Sequence, residues 1–222
     1  PDEHALQLRA LASLAGVAPG AVTGCAIGSV VPPVTQPLAA GVRLAFGCDA
    51  LVVDARSPLP IRVAVDEPLT VGADRLINTL AASRLHARDA IVVDLGTATT
   101  YDCITADGVF LGGVIAPGVR TSAESLFRRT SKLAATELVA PQRVIGTRTE
   151  ECIRAGVLYG AADAIEGIVR RIRGEWPTAA VPIVLATGGL APQLAPWCPS
   201  FDAVVPDLTL QGLRLAHELL AG

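Results

Sequence analysis

The chain has 222 residues, of which 51% are hydrophobic and 18% charged, and its net charge is -3. That is enough chain for one large or two smaller cores, and too apolar for a disordered segment. The acidic balance, with no basic run to neutralise phosphates, argues against a nucleic-acid surface, and no apolar run reaches the roughly 18 uncharged residues of a membrane span.

Five cysteines (Cys25, Cys48, Cys103, Cys152 and Cys198) are widely spread without a Cys-x-x-Cys pair, and there are three histidines. This usage predicts neither a zinc site nor a disulfide framework, and it fits a reducing cytoplasm. The chain has no Met and opens on Pro1-Asp2-Glu3, so the natural start is expected upstream.

Taken in order, Pro1 to Ala15 reads as a helix rather than a secretory leader: Leu6, Leu8, Leu11 and Leu14 form a stripe, and Asp2-Glu3 suit the helix dipole. Val22 to Val31 reads as a buried strand closed by Pro32-Pro33, and Val34 to Phe46 as a helix. Ala50 to Val53 and Ile61 to Val65 read as short strands. This rhythm is α/β. Gly72 then ends a loop, and a helix follows with Leu76, Ile77, Leu80, Ala81 and Leu85 on one face. Asp74 in its first turn compensates the dipole. Arg75 opposes it, and so calls for a partner or a ligand.

Ala90 to Val93 is an apolar run that ends in Asp94-Leu95-Gly96-Thr97. A second strand, Thr99 to Thr105, and a turn at Ala106-Asp107-Gly108 lead to a third, Val109 to Ile115. The turn at Asp94-Leu95-Gly96-Thr97 can be a polar hairpin tip, or a phosphate cradle beside a carboxylate able to organise a cation. Gly112 to Gly118 leads into a helix over about Val119 to Arg129. Its glycines serve close backbone approach or tight packing. Thr149 reads as the N-cap of a long helix to Arg173, with Glu150 and Glu151 in its first turn. Gly156, Gly160 and Gly167 on that helix predict a surface for a second subunit. Val181 to Ala186 is a strand running into Thr187-Gly188-Gly189-Leu190, a turn suited to a nucleotide, and a last helix runs to Leu220. His217 on it reads as structural or exposed, and His4 and His86 have no companions that indicate a ligand. The domain boundary is expected near residue 90, giving 1–89 and 90–222.

Gly72-Ala73-Asp74-Arg75, Asp94 to Thr100, Gly112 to Gly118, Ile145 to Thr149 and Thr187 to Leu190 stand in the order found in type III pantothenate kinases, which this chain resembles throughout. Ser29 to Pro33 and Leu208 to Leu213 match as well. The resemblance implies an α/β fold of two ribonuclease H-like domains of the actin and sugar-kinase type, with ATP in the cleft between them. It implies transfer of the γ-phosphoryl of ATP to pantothenate, the first step towards coenzyme A, with Mg2+ and a K+ or NH4+ ion. By the same resemblance, Gly72, Ala73, Asp74 and Arg75 line the pantothenate pocket, Asp74 accepts the hydroxyl proton and Arg75 holds the carboxylate. Asp94 binds the monovalent cation, Gly96 and Thr97 meet ATP phosphates, and Thr149 contacts pantothenate across a homodimer.

Two features depart from the family pattern. The leading strand with Asp-x-Gly-Asn-Thr, a phosphate loop that helps hold magnesium, is not in the sequence, so the first domain is expected to lack its N-terminal strands. Val65 stands where the family usually has a Tyr facing pantothenate. The competing reading is a non-catalytic relative that acts as a regulatory or binding protein; a kinase of the same superfold with another acceptor is a third.

Overall fold

A computed structural model describes residues 1–129, 139 and 141–221. The chain forms two compact units: Pro1–His86 with Asp107–Phe110 and Leu208–Gly222, and Ala87–Ala106 with Leu111–Asp207.

The first unit begins with α1 (Asp2–Leu14), β1 (Cys25–Gly28), α2 (Pro32–Phe46), β2 (Ala50–Val53), β3 (Arg62–Val63) and α3 (Ala73–His86). The β1 strand is shorter than its apolar run, because the Ser29 hydroxyl accepts the Val31 N–H at 3.1 Å and turns the chain out of the sheet. Pro32 and Pro33 open α2 instead of closing a strand, as suits residues with no N–H to leave orphaned. Gly47 ends α2 at φ +76, and the Arg9 side chain donates to the carbonyls of Leu44 and Ala45, both at 3.0 Å. The predicted strand at Ile61 to Val65 is only Arg62–Val63.

β1 and β2 pair in parallel, from Cys25 opposite Ala50 to Gly28 opposite Val53. Their core is Val53, Leu59, Leu76, Ile77 and Leu80. The last helix, α7 (Leu208–Leu220), follows the second unit in the chain but packs in the first. A Cβ at Gly212 would stand 2.5 Å from the Ile77 carbonyl oxygen, so α7 lies directly on α3. The Thr209 hydroxyl donates to Asn78 Oδ1 at 2.8 Å, which satisfies a buried amide oxygen in that seam. His217 is structural: its ring fills the space beside Gly24 that a Cβ would need.

The second unit holds β4 (Ala90–Leu95), β5 (Ala98–Ile104), most of β6 (Val109–Pro117), α4 (Val119–Arg129), α5 (Thr149–Gly174), β7 (Ile183–Thr187), α6 (Ala191–Leu194) and β8 (Ala203–Val204). The sheet order is β6-β5-β4-β7-β8, with β3 beside the first residues of β6. β5 is antiparallel to β4, whereas β7 is parallel to β4 and β8 to β7. Ala90 to Val93 have no exposed surface, as the central strand of such a sheet requires. Leu158, Ile165 and Val169 of α5 join its core. Two-residue β8 carries too little pattern to stand out in the sequence.

Candidate active site

In the first unit, the Gly72 carbonyl accepts the N–H groups of Arg75 (3.1 Å) and Leu76 (3.3 Å) and so opens α3. Asp74 Oδ1 accepts the Arg75 N–H at 2.9 Å. A Cβ on Gly72 would stand 2.5 Å from that same oxygen, so the glycine makes room for the Asp74 carboxylate. Arg75 has a partner: its guanidinium carbon lies 4.9 Å from the centroid of the Phe110 ring, and Phe110 is buried. This cation–π contact supports a charge that the helix dipole disfavours. Thr79 and Ser83, further along α3, turn their hydroxyls to the carbonyls of Arg75 and Thr79, each at 2.8 Å.

Beside Gly72 and Ala73 lies a cavity of about 300 Å3. Its other walls are Ser29 and Val30 after β1, Asp54 to Arg56 after β2, and Leu69 to Val71. The Asp54-Ala55-Arg56-Ser57 turn is fixed by its own side chains: Asp54 Oδ1 accepts the Arg56 N–H at 2.8 Å, and the Ser57 hydroxyl accepts the Asp54 N–H at 3.0 Å. Sequence reasoning passed over these residues, although Asp-x-x-Ser after a strand is a turn signal.

In the second unit, Asp94 is the penultimate residue of the inner strand β4 and stands opposite Thr100 on β5 and Thr187 on β7. Three glycine turns converge there. Gly96 donates to the Ala98 carbonyl at 3.1 Å within the β4–β5 turn, and both Gly96 and Thr97 are exposed. Gly118 starts α4 so close to this turn that a Cβ would stand 2.6 Å from the Gly96 carbonyl oxygen, and closer still to that of Thr97. Thr121 donates its hydroxyl to the Thr97 carbonyl at 2.7 Å. Gly188 has φ +86, and a Cβ there would stand 2.7 Å from Asp94 Oδ1. Gly118 therefore serves close packing on the β4–β5 turn, and Gly188 close packing on the Asp94 carboxylate and the Leu95 backbone. Asp94 supplies a hard oxygen that suits K+, NH4+ or Mg2+. Among the described residues no three His, Cys, Asp or Glu side chains gather as a metal site.

Thr149 is exposed at the first position of α5, on another element of the same unit. The N-cap is Arg148, not Thr149. The end is closed by Glu151, whose carboxylate accepts the Thr147 N–H at 2.8 Å, the Thr147 hydroxyl at 3.2 Å and the Arg148 N–H at 3.3 Å. The Thr147 N–H above all, with its hydroxyl, the Arg148 N–H and the nearby Arg143 charge, holds the Glu151 carboxyl below its ordinary range. Gly146 packs here too, since its Cβ would stand 2.6 Å from the Cys152 nitrogen. A larger cavity of about 680 Å3 lies among β5, α4 and α5, lined by Tyr101, Thr121, Gly156 and Gly160. Burial pushes the Tyr101 phenol well above its usual range, with Cys198 adding to the shift.

A sheet of order 3-2-1-4-5, its second strand antiparallel to the first and glycine turns at the end of the inner strands, defines a ribonuclease H-like α/β protein. A family profile described as type III pantothenate kinase matches residues 1–171. The type III pantothenate kinase of Roseiflexus castenholzii is 45% identical over 98% of this chain and 85% of its own length. That of Moorella thermoacetica is 43% identical over 98% of this chain and 85% of its own length. The chain belongs to the type III pantothenate kinase family. A crystal structure of a conserved Baf-family protein from Campylobacter jejuni, described as a transcriptional activator, matches with a TM-score of 0.52 and 21% identity over 76% of this chain and 72% of that one. That likeness bears on fold alone.

Proposed function

We propose that the protein transfers the γ-phosphoryl of ATP to the primary hydroxyl of pantothenate, giving 4'-phosphopantothenate and ADP at the start of coenzyme A synthesis. The observation that carries this reading is Asp74 at the mouth of α3, cleared by Gly72, in a chain that belongs to the kinase family. Asp74 takes the hydroxyl proton as the acceptor oxygen bonds to the γ-phosphorus and the bond to the ADP oxygen breaks. Gly72, Ala73 and Arg75 hold the acceptor, with Arg75 on its carboxylate, as suits a planar guanidinium. The exposed Gly96 and Thr97 meet the phosphates of ATP. Asp94 holds the monovalent cation. Mg2+, when bound with ATP, offsets phosphate charge.

Thr149 serves the acceptor of a partner subunit in a homodimer. Support for the dimer comes from α5, where no atom of the described residues lies within 4 Å of a Cβ placed on Gly156 or Gly160. A cytoplasmic setting accords with five free cysteines. No described helix is long and apolar enough to cross a membrane. The non-catalytic alternative has no support from the Roseiflexus and Moorella relatives, which carry the kinase name.

The test is ATP-dependent phosphorylation of pantothenate by the purified protein, with Mg2+ and K+, beside Asp74→Asn. Product from the wild type and its loss in the variant are expected. A wild type that makes no product would overturn the reading.

A further inference from the structure

The cavity at Gly72-Ala73 carries an inference about which acceptors it admits, and it rests on the kinase reading above. Arg56 is the cationic side chain among the residues that line it. Arg75 belongs to the same segment but lies over the Phe110 ring. The turn that presents Arg56 is built before any ligand arrives. Asp54 Oδ1 binds the Arg56 N–H at 2.8 Å, the Asp54 N–H is bound by Ser57 Oγ at 3.0 Å, and the Ser57 N–H donates back to the Asp54 carbonyl at 3.1 Å. Leu59, buried just beyond, anchors the loop in the core. The turn is thus held at both ends while the Arg56 side chain is left exposed. The Asp54 carboxylate is also engaged by the turn, accepting the Ser57 hydroxyl at 3.4 Å. Arg56 therefore lines the cavity from a turn of fixed backbone, together with Gly72 and Ala73.

We propose that Arg56 is a second guanidinium of the acceptor pocket, one that selects an acceptor bearing a carboxylate over a neutral one of the same shape. Guanidinium matches carboxylate by two parallel N–H···O bonds, and a charge-assisted pair of this kind separates acid from alcohol where shape cannot. Arg56 works on the end of the acceptor remote from the reacting hydroxyl. Its loss therefore falls on acceptor binding and on the choice between acceptors, and leaves ATP binding alone.

The experiment compares wild type, Arg56→Gln and Arg56→Lys with two acceptors: pantothenate, and its neutral analogue in which the carboxylate is replaced by hydroxymethyl. Arg56→Gln is expected to raise KM for pantothenate by about tenfold or more, the scale of a hydrogen bond to a charged group, with KM for ATP unchanged. The preference for acid over neutral acceptor should shrink by the same factor. Arg56→Lys should recover part of that preference, because it restores charge without the fork. Unchanged acceptor KM and an unchanged acid-to-neutral ratio in Arg56→Gln would overturn the proposal while the kinase reading stands. A wild type inactive on both acceptors would sink the kinase reading itself. Equal rises for both acceptors, with no recovery in Arg56→Lys and a lowered melting temperature, would make Arg56 a structural residue and overturn the selective role.

Discussion

At Asp74 and Arg75 two neighbouring charges meet one helix dipole in opposite ways. The carboxylate suits the start of α3 and would stand there without any function. Replacing it with Asn keeps shape and removes the proposed proton acceptor, so Asp74→Asn should lower kcat by about 10^2 to 10^4 with an unchanged melting curve. Steady-state ADP release and circular dichroism measure the two. Arg75 was the more informative residue in the sequence, because its position needs an explanation. Half of that explanation is Phe110, which lies 35 positions away and could not be paired with it by spacing. Gly188 makes the complementary case. Its φ of +86 and the Asp94 oxygen 2.7 Å from its absent Cβ leave no room for a side chain. Gly188→Ala should destabilise by about 1–3 kcal/mol from backbone strain alone. It should also weaken ATP binding, read by a denaturant midpoint and by nucleotide titration.

Periodicity found the elements that bury a regular face. α3, α4, β2 and the inner strand β4 were legible because their apolar positions repeat at helical spacing or run unbroken. It misplaced ends where side chains intervene. Ser29 stops β1 three residues before its apolar run ends, and Glu151 folds back on Thr147 so that Arg148, not Thr149, caps α5. The cavity beside Gly72 and Ala73 was invisible for a related reason. It is made by a short turn after β2 whose importance depends on what lies across from it. The Glu151 closure has a measurable pH signature. A carboxyl held below its ordinary range in the folded chain stabilises it above the unfolded pKa, and that contribution is lost as pH falls through the folded value. Glu151→Gln should therefore melt below the wild type at neutral pH. The gap should close as the medium is acidified past the ordinary carboxylate range, in melting curves taken across pH.

For the molecule as a whole, the family signature was legible because five weak motifs recur in a fixed order, although each alone has a bland explanation. The division into units was legible only in part. The second unit begins at Ala87, and chain order gave no sign that Leu208 onwards belongs with the first. The α5 glycines predict self-association, and light scattering at micromolar concentration should give twice the monomer mass. A Gly160→Leu variant should shift that mass towards the monomer, since a bulky side chain would stand on that face of α5.

The return of α7 to the first unit sets the order in which a growing chain can become protein. The second unit has all of its residues once synthesis passes Asp207, whereas the first, begun at the opposite end, still lacks the helix that covers Ile77 and satisfies Asn78. A domain usually folds as soon as its chain is complete, amino end first. Here the first unit waits with its α3 face open until α7 has been made. A polypeptide cut short before Leu208 would keep every residue of the second unit and leave the α3 face of the first uncovered.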